Sequence, residues 1–161
     1  MTLQHDSSQG APGRLVSPAP SQMNHPGVNV RIKPRELLRL LMRCDLSAPR
    51  LARRALSSLS AIDLVRDDVT LVASELVNNA VLHGGCGPSE EIELLVQTEP
   101  SLVRLIITDP GCSATKPTLC SPGHRQSGGM GLRIVDALAQ RWGSQQLAET
   151  VVWAELSLHP A

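Results

Sequence analysis

The stretch ASELVNNAVLHGG, residues 73–85, decides how this chain is read. Val65, Val69, Val72, Leu76 and Ala80 recur at steps of three and four, which predicts a helix from Asp63 to His83 burying them as one stripe. Gly84-Gly85 supplies the usual C-terminal stop. Glu75, Asn79 and His83 are each four apart and line up along a second, polar stripe. Such a stripe at the margin of a core is either a solvated face with local hydrogen bonds or a site. In the second reading the Asn79 oxygen suits magnesium, which prefers oxygen ligands. Glu75 would then orient or deprotonate an attacking hydroxyl or water.

Downstream, residues 91–98 and 102–108 read as two strands joined at Glu99-Pro100-Ser101. In the second, Val103, Leu105 and Ile107 share one face while Leu102, Ile106 and Thr108 share the other, as in a well-buried strand. TDPGC (108–112) follows. Asp109-Pro-Gly111 is either a turn or an acceptor for an adenine amino group, with Gly111 permitting close approach to the backbone. The segment from Asp109 to Met130 is irregular and rich in Gly and Pro, a length of loop that usually carries function, such as a lid. It closes on SGGMGLRIVD (127–136), where Gly128, Gly129 and Gly131 precede a helix predicted over residues 131–141. Glycines there expose N–H groups to an anion at the positive end of a helix. A plain flexible loop is the other reading. No GK[ST] follows, so this is not a Walker A loop, and Ile134 stands where a Rossmann fingerprint has its third glycine. Leu132, Val135, Leu138, Ala139 and Trp142 form the helix's inner side, and a C-terminal hairpin ends in the alternating Val152, Ala154, Leu156 and Leu158.

Upstream, ELLRLLMRC (36–44) is apolar and short, and periodicity leaves strand and helix equally open. Ser47 as N-cap and Pro49 in the first turn predict a helix to about Leu59, with Arg50, Arg53 and Arg54 on its outer side as a solvated face or a docking patch. Residues 1–28 are polar and rich in Ser, Gln, Pro and Gly, and read as a disordered tail. Residues 29–161 form the domain. The expected fold is a two-layer α/β (α+β) sandwich, a mixed sheet with helices on one face.

Composition narrows the function. Lys+Arg and Asp+Glu stand at 15 each, so no overall field favours nucleic acid or anionic membranes. Trp142 and Trp153 are the only aromatics, which removes the stacking platforms of single-strand binders. No apolar run is long enough for a transmembrane helix, and the N-terminus lacks the apolar core of a secretory signal. A cytoplasmic protein is expected. Cys44, Cys86, Cys112 and Cys120 show no CxxC spacing, which fits reduced thiols. A zinc site from Cys112, Cys120 and His124 matches no known ligand spacing.

In their order, ELVNNAVLH (75–83), Asp109-Pro-Gly111 and Gly128-Gly129-Met-Gly131-Leu132 resemble the N box, DxG box and glycine-rich lid of the ATPase superfamily that includes gyrase, MutL-type repair proteins and sensor histidine kinases. SELVNNAVLHG, GLRIVDALAQRWG and VWAEL look most like the small anti-sigma-factor serine kinases of that superfamily, and the resemblance spans residues 37–158. It implies a Bergerat-type ATP-binding fold with ATP and Mg2+ as ligands. It makes Asn79 the magnesium ligand and Glu75 the general base. It assigns Asp109, with Gly111 beside it, to adenine and Gly129, Gly131 and Leu132 to the phosphates. The implied partners are a sigma factor and a small anti-sigma antagonist phosphorylated on serine, and a homodimer is left open. The sequence departs from the pattern at Ser113, where the second glycine of DxGxG belongs, at Met130 in the lid, and at Glu149-Thr150, where a Gly-Lys pair often stands. Those departures bear on catalysis and affinity more than on fold. Arg125 is a candidate contact to the terminal phosphate. A serine kinase, an ATP-dependent interaction module with little turnover, the catalytic half of a histidine kinase and a ligand-free α/β domain remain the alternatives.

Overall fold

The run that periodicity left open, residues 36–44, is a strand. In the computed structural model, which describes residues 33–87, 89–111, 129–146 and 148–159, β1 (Arg35–Arg43) pairs antiparallel with β2 (Glu91–Glu99). Leu38, Leu40 and Met42 face the core while Arg39, Leu41 and Arg43 face out, and a register shift between Glu36 and Leu38 lets Leu37 pack as well. The expected tail, Gly128, and the lid residues Cys112, Ser113, Cys120, His124 and Arg125 lie outside the described residues.

Helix α1 (Ala48–Leu56) follows, with Pro49 in its first turn. Ser47 does not cap it as expected. Its backbone is already helical (φ −83°, ψ −19°) where a capping residue is normally extended. Its N–H and Oγ–H instead donate to Asp45 Oδ1 at 2.7 and 2.6 Å. Ala48, Ala52 and Leu56, four apart, are buried, and Arg50, Arg53 and Arg54 are exposed as the sequence reads. The helix ends three residues early, and Asp63 opens no α-helix: residues Ser60–Val65 form a 3₁₀ turn, which buries Ile62 and Val65. Arg66 then ties this corner, bonding Asp63 and the last carbonyls of α1.

Helix α2 (Arg66–His83) is the centre of the molecule. Asp67 and Asp68 sit in its first turn, where negative charge opposes the helix dipole favourably. The whole expected stripe is buried, and Ala73, Ser74 and Val77 are buried beside it because α2 also packs against α1 and α3. Gly84 caps the helix and Gly85 takes the left-handed φ of 72° that suits glycine after a helix end.

β2 and β3 (Leu102–Asp109) form the expected hairpin. After α3 (Gly129–Leu138) come β4 (Arg141–Gln146) and β5 (Thr150–Ser157). The helix starts two residues before and ends three before the expected span, so Trp142 lies on β4. Its indole N–H donates to Asp136 Oδ1 at 3.0 Å. The chain leaves the helix because Gln140 N–H already pairs with Glu155 O of the sheet, at 2.8 Å.

The sheet order is β1-β2-β3-β5-β4 and every pairing is antiparallel, not mixed. β3 and β4 do run the same way, as a helical crossover requires, but β5 returns between them and pairs antiparallel with both. Ile92, Leu94, Val96, Val103, Leu105, Ile107, Val152, Ala154 and Leu156 form one core with the buried helix residues, giving the expected two-layer α+β sandwich. Among the described residues, no helix is long and apolar enough to cross a membrane.

One further bond joins the layers. Cys44, at the end of β1, and Cys86, after α2, are disulfide-bonded with Cα atoms 6.1 Å apart, which corrects the expectation of reduced thiols for this pair.

Candidate functional site

Helix α2 carries the two polar residues read as a site, and one turn separates them. Glu75 and Asn79 are both half-buried. Among the described residues, the Asn79 Nδ2 is buried without a hydrogen-bond partner. A buried amide left unpaired costs roughly 1–3 kcal/mol, so this side chain is suited to a polar ligand. Rotating the carboxamide by half a turn presents its oxygen to the same point, which is the donor type magnesium takes. The residues present therefore fit that ion. Among the described residues no cluster of three or more His, Cys, Asp or Glu side chains offers a competing metal site.

The far end of α2 meets Asp109. Gly84 is buried against it so closely that a Cβ on Gly84 would lie 3.0 Å from Asp109 Cγ. Asp109 ends β3 and is 3% exposed. Its Oδ1 accepts the Gly111 N–H at 2.9 Å, and the Thr150 hydroxyl bonds it from the facing start of β5. Burial pushes its carboxyl above the ordinary carboxylate range, and the negative Glu149 nearby adds to this; the bonds from Gly111 and Thr150 act the other way. Gly111 has φ 74°, and a Cβ there would lie 2.9 Å from the Ala148 and Glu149 backbone. Glycine is required at 111 for both reasons.

The sign of the Asp109 shift gives an expected result. A carboxyl whose folded pKa is raised contributes stability that is complete below its ordinary value of 3.8 and is lost as pH rises through the raised value. Asp109→Asn removes that loss. The variant should melt at or above the wild type at neutral pH, with the difference shrinking toward pH 4. If the residue accepts a ligand's amino group, losing a charge-assisted bond of about 1.5–3 kcal/mol should weaken ATP roughly 10- to 150-fold. Melting curves from pH 4 to 8 and an ATP titration check both halves.

Glu75 touches the third element. A Cβ on Gly131 would lie 2.5 Å from Glu75 Oε2, so the carboxylate rests on the first turn of α3. Gly129 and Gly131 stand in that turn, where backbone N–H groups have no partner within the helix and can receive an anion. Leu132 follows, its side chain 3% exposed and packed in the core, so only its backbone faces outward chemistry.

Glu75, Asn79 and Gly84 thus run along α2, with Asp109 at one end and α3 at the other. The span from Glu75 to Gly84 is about 13 Å at the helical rise of ~1.5 Å per residue. His83, the third member of the polar stripe, is exposed. Two participants carry no site signal in the sequence. Thr150 stands there only as a departure from a Gly-Lys pair, and its bond to Asp109 follows from strand register. Gly84 reads there only as a helix stop.

The family model described as the histidine kinase-like ATPase domain matches residues 42–155, most of the chain. No curated protein matches it. Among solved structures, the RsbU and RsbW domains of Rv1364c from Mycobacterium tuberculosis share 21% identity and a TM-score of 0.50, over 83% of this chain and 35% of that one. The chain thus spans about a third of that structure's length. The Acinetobacter baumannii histidine kinase AdeS shares 16% identity and a TM-score of 0.42, over 77% of this chain and 69% of that one. With the family match covering every element from the end of β1 to β5, the chain belongs to the histidine kinase-like ATPase domain family.

Proposed function

We propose that the chain is a cytoplasmic, ATP- and magnesium-dependent serine kinase of the anti-sigma-factor type, acting on a small antagonist protein and taking a sigma factor as its alternative partner. The family match supports ATP as the nucleotide. The observation that carries the site is the unpaired Asn79 amide on α2, between Glu75 and the Gly84–Asp109 contact. The Rv1364c structure includes an RsbW domain, which is in keeping with the regulatory part of the reading.

Asp109 accepts the adenine amino group, with the Gly111 backbone beside it. The N–H groups of Gly129, Gly131 and Leu132 hold phosphate oxygens at the positive end of α3. The Asn79 oxygen would hold magnesium, which would supply positive charge to neutralise the phosphates. Glu75 takes the proton from the serine hydroxyl as the serine oxygen bonds to the terminal phosphorus and the bond from that phosphorus to the bridging oxygen breaks, so that ADP leaves.

Titration calorimetry with ATP, with and without magnesium, tests the site. The wild type should bind ATP more tightly with the ion, and Asn79→Ala should lose that gain while melting within a few degrees of wild type. Unchanged magnesium-dependent binding in Asn79→Ala removes the ligand assignment. Transfer of labelled phosphate to an antagonist protein tests the activity. A second reading, an ATP-dependent interaction module with little turnover, is favoured by one contact: Glu75 lies where a carboxylate stabilises the start of α3.

A further inference from the structure

Cys44 and Cys86 stand 42 positions apart in sequence and join the end of β1 to the turn after α2. Cys44 belongs to the sheet: its N–H donates to Glu90 O at 2.9 Å, extending the β1–β2 ladder by one pair. Cys86 belongs to the turn after α2, flanked by Gly84-Gly85 and Gly87, which bring no side chains, and itself packs half-buried against the core. That turn borders the candidate nucleotide site. The Ala80 carbonyl accepts the Gly84 N–H at 2.8 Å and lies 3.8 Å from Cys86 Sγ, and Gly84 rests against the Asp109 carboxylate. A covalent bond from the sheet to Cys86 therefore holds the turn that backs Asp109.

We propose that Cys44 and Cys86 are a reversible redox site, a dithiol that closes to a disulfide and, by fixing the Gly84–Gly87 turn, strengthens nucleotide binding at Asp109. The binding consequence rests on the nucleotide reading above; the redox chemistry does not. Cys86 is half-buried and Cys44 is 6% exposed, so Cys86 meets a reagent first. Its thiolate attacks a low-molecular-weight disulfide RSSR, forming a mixed disulfide and releasing one thiol. Cys44 then attacks the Cys86 sulfur, and the second thiol leaves. Two protein thiols and one RSSR become one protein disulfide and two RSH, and excess RSH reverses it. Disulfides inside cells are commonly of this transient, sensing kind.

The 161-residue chain is cycled between oxidised glutathione and excess reduced glutathione, and the linkage is located by alkylation and peptide mapping. The expected link joins Cys44 to Cys86 and opens on reduction. Amide exchange across residues 84–87 should be about tenfold slower in the oxidised form, because the bond suppresses local opening. ATP with magnesium should bind the oxidised form about three- to tenfold more tightly, since the turn is already ordered. Cys44→Ser and Cys86→Ser should behave as the reduced form under either condition, and the wild-type cycle needs neither variant to fold. A link through Cys112 or Cys120, or no link, overturns the proposal, as does equal exchange or equal ATP affinity in the two forms. If exchange responds but neither form binds ATP, the redox site stands and the nucleotide reading falls. If both forms bind ATP alike, the switch falls and the nucleotide reading stands.

Discussion

Glu75→Gln is expected to lower phosphate transfer to serine by roughly 10²–10⁴-fold, the range a general base supplies, while ATP affinity and melting temperature stay near wild type. Gln keeps an oxygen acceptor of the same shape but cannot take a proton at neutral pH. The substitution therefore separates the two readings of this side chain. If Glu75 serves to stabilise the first turn of α3, its neutral isostere costs only the charge contribution, about 0.3–1 kcal/mol, and any transfer activity survives. Gly131→Ala should lower transfer by a different route. Its Cβ would meet Glu75 Oε2, the far end of a flexible side chain, so the carboxylate swings aside with little loss of stability. Transfer by Glu75→Gln within about threefold of wild type would rule out proton abstraction by this residue.

The largest expected loss of stability lies on the other face of the sheet. Arg104, Glu155 and Arg141 are aligned across β3, β5 and β4 and point away from the helices. Arg104 Nε donates to Glu155 Oε1 at 2.8 Å, and its Nη2 bonds the same oxygen. Arg141 donates to Oε2 through Nε at 2.9 Å and Nη2 at 2.6 Å. Arg104 is 6% and Glu155 2% exposed. Truncating one partner of a buried pair leaves the other charge uncompensated, so Glu155→Ala should cost about 3–5 kcal/mol. Replacing Arg104 and Glu155 together by Met and Leu should cost far less, because no charge is then stranded. Guanidinium midpoints of the three proteins decide it. A loss below about 1 kcal/mol for Glu155→Ala would place this cluster with ordinary solvated pairs. The cluster also bears on the site, since β3 delivers Asp109, β5 delivers Thr150, and the same register aligns both pairs.

Much of this molecule was legible in its residues. The stripe of Val65, Val69, Val72, Leu76 and Ala80 is buried as its spacing reads, and both hairpins stand where alternation puts them. The three boxes in order resemble the family that the chain belongs to. These are local signals: helix and strand periods are written in neighbouring positions and survive any tertiary arrangement. Boundaries were less legible. Asp63 marks a 3₁₀ turn and Trp142 a strand, because each end was settled by a partner from elsewhere, Arg66 on the α1 carbonyls in one case and Glu155 O in the other.

Only the tertiary structure decided whether residues 36–44 were strand or helix, since a short apolar run takes the form its neighbour pairs with, here β2. It alone placed β5 between β3 and β4, which made the sheet antiparallel and set Thr150 opposite Asp109. It alone brought Cys44 to Cys86, and Arg104 to a buried carboxylate 51 positions away. Each of these depends on contacts between distant segments, and sequence spacing carries information about faces of one element, not about which element will lie against it.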